Sequence, residues 1–333
     1  MKKEYVLVMS ILLFVSGLCS AVTPVNIDDF TGTSWVVYGK SSVRSSIVGG
    51  SAEGIGYVDF DSYGSVGISD ETGTTMYGTY GVDSKGKLFV NVTADDVQNF
   101  FDDYLGRYSD YVTVTATGAK STCKVTYSGS TVSLAITISA KARIDVSYED
   151  EDGDTKEYHG SISFKLSMTG DHPVADGVPK WASKWDINAN ASLKAKKIKV
   201  SMPVPIELSL GDANSGLGLN QYKFVNTDGV LFSSAMQHDF CRQKGKILFG
   251  GDDGDEEITS IIDELVTANS DIPFDYLDVV GSITATVKSG KADTITLKGT
   301  FKFEATNYDE DKDKFIVINR GTLTLTGTGV PSP

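Results

Sequence analysis

Residues 97 to 110 read V-Q-N-F-F-D-D-Y-L-G-R-Y-S-D, and 161 residues later, at 258 to 271, the pattern returns as I-T-S-I-I-D-E-L-V-T-A-N-S-D. In the first copy the apolar positions are Val97, Phe100, Phe101, Tyr104 and Leu105; in the second they are Ile258, Ile261, Ile262, Leu265 and Val266. This i, i+3, i+4, i+7, i+8 spacing lays one apolar stripe along an α-helix and leaves the acids on its other face. Thr93 with Asp96, and Asp253 with Glu256, can satisfy the free amides of each first turn. The spacing predicts helices at about 94–106 and 255–267.

The echo extends beyond the helices. Lys85-Gly86-Lys87-Leu88-Phe89 is answered by Lys244-Gly245-Lys246-Ile247-Leu248, and Tyr148-Glu149-Asp150-Glu151 by Tyr308-Asp309-Glu310-Asp311. Upstream, Thr33-Ser34-Trp35 matches Ser183-Lys184-Trp185 at an offset of 150 residues. Ordered anchors of this kind indicate a tandem duplication. Between the copies lies a Gly/Pro/Asp-rich stretch without periodicity, the signature of a connection. The chain therefore divides into repeat 1 at 22–170, a linker at 171–182, repeat 2 at 183–329 and a tail at 330–333.

Outside its helix each repeat alternates apolar and polar residues. Residues 131–149 do so for almost their whole length, as a strand with one face on a core and the other in water must. The same pattern covers 158–168, 279–288, 294–306 and 315–326, with shorter runs at 56–60, 64–69 and 75–82. About eight strands per repeat follow, and an antiparallel meander curled into a barrel buries one face while removing free edges. The fold class is mainly β: two tandem antiparallel β-barrel-like units, each with one amphipathic α-helix. Trp35 and Trp185, duplicated and large, are expected to close the cores.

Lys2 and Lys3, the apolar run 5–14 and the small residues before Ala21 read as a signal peptide over 1–21, which implies an exported protein, periplasmic or extracellular. Leu18 before Cys19 departs from a lipid-attachment signal. No later run is long and apolar enough for a membrane helix. Cleavage removes Lys2, Lys3 and Glu4 and moves the formal charge from −14 to −15, which argues against nucleic acid as a partner. Cys123 and Cys241 remain, their spacing excluding a paired-cysteine metal or redox motif.

No catalytic constellation stands out. His159, His172 and His238 lie in no recognisable catalytic order, and His238 with Cys241, at i and i+3 on a strand, should face opposite ways. The acidic hairpin at 148–154 lacks both the first aspartate and the closing glutamate of a calcium loop, so it reads as a solvated turn with no metal or cofactor. The candidate ligand-binding residues are Tyr57, Tyr77 and Tyr80, which crowd the early strands with Tyr63, and Lys194 and Lys196 on a basic strand that could meet an anionic group.

The glycine-preceded tryptophan in Gly32-Thr33-Ser34-Trp35, followed by a meander and one helix, resembles the lipocalin or calycin group of ligand-binding barrels. The segment is one residue longer than that group's G-x-W, Trp185 has no matching glycine, and the helix falls in mid-repeat rather than after the last strand. The resemblance implies a small hydrophobic molecule or lipid inside one or both barrels and transfers no individual binding residue. The competing expectation is a structural or envelope-associated interaction module whose barrels are filled, with an unspecified protein partner. An outer-membrane barrel is disfavoured by polar outward positions such as Thr294, Thr296, Lys298 and Thr300.

Overall fold

The structure, a computed structural model, describes residues 24–332 apart from 46–48, 71–72, 107–110, 129–130, 150–154, 174–181, 197, 212–216, 218–219, 227–235, 244–245, 250–261, 264–265, 269–273, 289–292 and 310–313. The signal-peptide segment and most of the second predicted helix lie outside the described residues. Two eight-stranded antiparallel barrels stand where the duplication places them. The first comprises β1 (Thr33–Arg44), β2 (Gly49–Phe60), β3 (Ser65–Asp70), β4 (Thr75–Val82), β5 (Leu88–Asn91), β6 (Val112–Ser128), β7 (Thr131–Glu149) and β8 (Thr155–Pro173). The second comprises β9 (Lys184–Ala195), β10 (Lys199–Leu210), β11 (Gln221–Asn226), β12 (Met236–Gln243), β13 (Lys246–Phe249), β14 (Tyr276–Lys288), β15 (Thr294–Asp309) and β16 (Lys314–Pro331). β8 runs three residues into the stretch assigned as linker, and β16 two residues into the assigned tail.

The second barrel closes through its ladders, with β9 pairing both β10 and β16. The first runs β5-β4-β3-β2-β1-β8-β7-β6, which leaves a seam where β5 and β6 face each other. Side chains bridge that seam. A bulge between Ala116 and Gly118 shifts the phase of β6 and turns Ser121 to the inner side. There its hydroxyl donates to the carbonyl of Val90 at 2.6 Å and accepts from the amide of Val92 at 3.2 Å.

Helix α1 (Ala94–Leu105) begins at the end of β5, and its start is the predicted capping box. The Thr93 hydroxyl accepts from the Asp96 amide at 3.3 Å while the Asp96 carboxylate accepts from the Thr93 amide at 2.8 Å. Gln98 then acts as one residue of a missing strand: its Nε2 donates to Val114 O at 2.8 Å and its Oε1 accepts from the Ala116 amide at 2.7 Å. Val97 and Phe101 are buried in the core, and Phe100 and Phe101 reach Phe164 on β8 with centroids 6.2 and 6.3 Å away. The buried stripe is narrower than its sequence pattern, since Tyr104 remains 60% exposed and stacks on Phe100. In the second repeat, Ile262 and Val266 are helical, one turn apart and fully buried in the second core.

The two duplicated tryptophans close their cores, Trp35 at 1% and Trp185 at 0% exposure. A short 3-10 helix (Ile27–Asp29) precedes β1 and delivers Phe30, which stacks on Trp35 at 5.3 Å with rings 3° from parallel. Tyr127 from the end of β6 ties this plug down by donating to Asp29 Oδ2 at 2.9 Å and accepting from the Asn26 amide at 3.2 Å.

If Gln98 substitutes for a strand, Gln98→Ala leaves a carbonyl and an amide of β6 without partners. A loss of about 1–3 kcal/mol is expected in chemical unfolding. Hydrogen exchange at the Ala116 amide should accelerate selectively; unchanged exchange there would show that the seam does not depend on Gln98.

Candidate functional site

The structure disperses the five residues grouped from sequence. Tyr80 lies in the first core at 8% exposure, its ring 4.9 Å from Phe60 and its hydroxyl donating to the carbonyl of Asp61. Tyr77, one strand position out of phase with Met76 and Tyr80, faces outward and is 63% exposed; Tyr63 is exposed at its loop. Tyr57 also faces out, because Val58 and Phe60 take the inward positions of β2. Its hydroxyl donates to Asp239 Oδ2 of the second barrel at 2.7 Å. Three tyrosines expected in one cavity thus occupy a core, an outer surface and a junction between barrels. The correction has one cause: strand parity separates Tyr57 and Tyr77 from the barrel interior.

Lys194 and Lys196 are exposed at the β9–β10 hairpin. Lys194 is the cross-strand partner of Lys199 on one side and of Thr322 on the other, and Thr322 in turn faces Lys302. These side chains stand on the outside of the second barrel, whose inward positions on β9 are Trp185, Ile187, Ala189, Ala191 and Leu193. The outward positions of β9, β15 and β16 are rich in Asn, Ser, Thr and Lys, Thr296, Lys298 and Thr300 among them. No helix among the described residues is long and apolar enough to cross a membrane.

The junction between barrels escaped the sequence reading. Ile55, Cys241 and Leu248 are buried at 4%, 0% and 9% although all three point away from their own barrel interiors. They bury one another with Val36, Tyr38 and Tyr57 alongside. Cys241 donates to the Thr169 carbonyl at 3.6 Å, and Gln243 bonds the Thr169 hydroxyl. The signal was available in principle: an apolar residue at an outward strand position, such as Ile55 or Leu248, asks for a cover.

Both cysteines are free thiols, Cys123 in the first barrel and Cys241 at the junction. His238 faces into the second barrel beside Tyr222, at 6.3 Å between centroids, while Cys241 faces out. They form no nucleophile pair. Among the described residues no group of carboxylates, histidines and cysteines is arranged to hold a metal. The His159–Asp145–Arg143 cluster is an exposed surface ion network, with Nδ1 of His159 2.6 Å and Nη2 of Arg143 3.0 Å from the Asp145 carboxylate. His159 and then Arg143 hold Asp145 below the usual carboxylate range.

The second barrel encloses one unusual group. Arg242 follows the inward parity of Phe240, is 9% exposed, and places its guanidinium 5.1 Å from the Phe240 ring centroid. Burial pulls its pKa down to about 10, which leaves it charged at neutral pH. Tyr222, Phe224 and Phe249 form an aromatic group in the same core, with centroids 4.7 to 5.1 Å apart.

No known protein family matches the chain, and no curated protein matches it. Among solved structures, a protein of unknown function from the DUF3598 family of Nostoc punctiforme aligns at 11% identity over 89% of this chain and 95% of that one, with a TM-score of 0.19. The structure of CghA aligns at 10% identity over 94% of each chain, with a TM-score of 0.15. Scores that low carry no argument about fold or function. What the coordinates define is a class: a mainly-β chain of two eight-stranded antiparallel barrels in tandem.

Burial raises the thiols of Cys123 and Cys241 to about 12, the charge of Asp171 adding to the effect at Cys241. Burial, then the charge of Glu53, raises the Tyr38 hydroxyl to about 12 as well. The folded state thus holds these protons more tightly than the unfolded chain. Their contribution to stability is complete below about pH 8.5, where unfolded thiols begin to ionise, and is lost as pH rises toward 12. Melting temperature should fall across this window, and less steeply in a Cys123→Ala/Cys241→Ala variant. Equal slopes in both proteins would rule the thiols out as the cause.

Proposed function

We propose that this chain is an exported, non-catalytic interaction module whose two barrels are filled by their own side chains and whose outer faces do the binding. The observation that supports it is the packing at inward-facing glycines. A methyl group added at Gly321 would collide with the ring of Phe303. At Gly327 it would lie 2.8 Å from the Ala189 methyl, and at Gly329 2.7 Å from Ile187. Large side chains already occupy the volume that these glycines vacate, as interiors close-packed to native density require. In the first barrel the Phe30–Trp35–Phe60–Tyr80 group at one end and the Phe100–Phe101–Phe164 group toward the other fill the corresponding space.

A second reading follows the lipocalin-like resemblance. Arg242, a cation enclosed among the rings of the second barrel, is where an apolar molecule with an anionic head would bind if that barrel held one.

Native mass spectrometry of the protein purified gently from its own host, repeated after denaturation, separates the readings. The filled module shows the same mass in both conditions. An adduct that disappears on denaturation would overturn it and move the function into the interior. Independently, Gly321→Ala and Gly327→Ala should each cost about 1–3 kcal/mol in chemical unfolding by overpacking. A hollow barrel would absorb either methyl with little loss.

A further inference from the structure

We infer that the outer face of the first barrel across β6, β7, β8 and β1 binds a linear acidic polysaccharide. The inference rests on the surface-acting reading above and names its partner class. In a chain of formal charge −14, this face carries Lys120 and Lys124 on β6, Lys141 on β7, Lys165 on β8 and Arg44 on β1, all exposed. None of the five has an ion-pair partner among the described residues. Lys40 and Arg143 border them, already paired with Glu53 and Asp145. Between the row of Arg143 and the row of Lys124, no outward position on these four strands is an aspartate or glutamate; acids resume only at Asp145 and Asp171.

The register arranges these cations as a lattice. Ser163 stands between Lys141 and Arg44, and Ser139 between Lys120 and Lys165, each as direct cross-strand partner of both. Cations two strands apart are therefore about 10 Å from each other, and diagonal neighbours such as Lys141 and Lys165 about 7 Å. A serine between two lysines relieves the repulsion that directly opposed like charges would suffer. It also places a hydroxyl, able to donate and accept, beside Arg44, Lys120, Lys141 and Lys165. Protection of a free edge does not account for the pattern, because β7, β8 and β1 are each paired on both sides.

The chemistry selects among polyanions. The one outward ring in these rows, Tyr38 opposite Thr169, packs against Ile55 and Cys241 at the junction and lies 5.8 Å from Lys40 Nζ, so it is not the open platform on which a base would stack in single-stranded nucleic acid binding. Apart from Tyr38, which is taken up at the junction, its apolar member is Ala135, too small to anchor in a lipid interface, and the acidic remainder of the protein opposes an extended anionic membrane. A single chain bearing carboxylate or sulfate groups among sugar hydroxyls matches alternating cations and serines, and it can lie along the strands without touching the acidic surfaces.

The test is binding of the full-length mature protein to heparin and to polygalacturonate, with neutral dextran as control, from about 50 to 300 mM salt. Expected is binding to one or both acidic polymers and none to dextran, weakening steadily as salt rises. A variant combining Arg44→Ser, Lys120→Ser, Lys141→Ser and Lys165→Ser should lose at least roughly tenfold in affinity with an unchanged melting temperature. Lys194→Ser/Lys199→Ser/Lys302→Ser on the second barrel should leave affinity unchanged. Preference for heparin would assign the site to sulfate, and preference for polygalacturonate to carboxylate. The inference is overturned if neither polymer binds, if the four-residue variant binds as well as the parent, or if single-stranded DNA or phosphatidylserine vesicles bind more tightly through the same residues. A bare native mass with no polymer binding would sink this inference and leave the filled module standing. A native adduct together with polymer binding would do the reverse.

Discussion

A strand edge exposes a row of amides and carbonyls, and burying one without partners costs as much per group as a hydrogen bond is worth. The first barrel meets this constraint with side chains. Its ladder ends at β5 on one side and β6 on the other, and Ser121 and Gln98 supply the bonds that a complete seam would have made. The position of α1 follows, because Gln98 can reach Val114 and Ala116 only if the helix lies along the edge of β6. The bulge near Thr117 has the same purpose, since without its phase shift Ser121 would face solvent. The second barrel closes by backbone pairing alone and has no need of this device.

Once closed, both barrels divide their residues by parity. Inward positions hold Trp35, Trp185 and most of the phenylalanines among the described residues, with glycines where a ring passes over the backbone. Outward positions are largely polar, with Tyr77 and Phe89 exposed among them, and turn apolar where one barrel covers the other. There the same parity produces Ile55, Cys241 and Leu248, and the Tyr57–Asp239 hydrogen bond lies beside them. The two repeats thus differ where the barrels meet: Cys241 and Asp239 have no counterpart in the first repeat.

The separation of inside from outside also organises function. A packed interior transmits little to solvent, so the groups free to meet a partner are those on the outer faces. On the first barrel the strand register sorts them into cations separated by serines. On the second, Lys194, Thr322 and Lys302 make a shorter version of the same arrangement.

Local patterns determined much of this protein from the sequence alone. Alternation along 131–149 set β7, residue for residue, and the i, i+3, i+4 stripe with Thr93 and Asp96 set α1 and its cap, because both depend on neighbours within a few positions. The duplication placed two barrels and their tryptophans. What only the tertiary structure decided depends on contacts between distant residues. Phe30 stacks on Trp35, Gln98 completes β6, and Tyr57 bonds a residue 182 positions away. Grouping Tyr57, Tyr77 and Tyr80 as one site failed for that reason, since neighbours in sequence part company when odd and even positions face opposite ways. The basic lattice was equally hidden: Arg44, Lys120, Lys141 and Lys165 are scattered along the chain, and only the pairing of four strands brings them onto one surface.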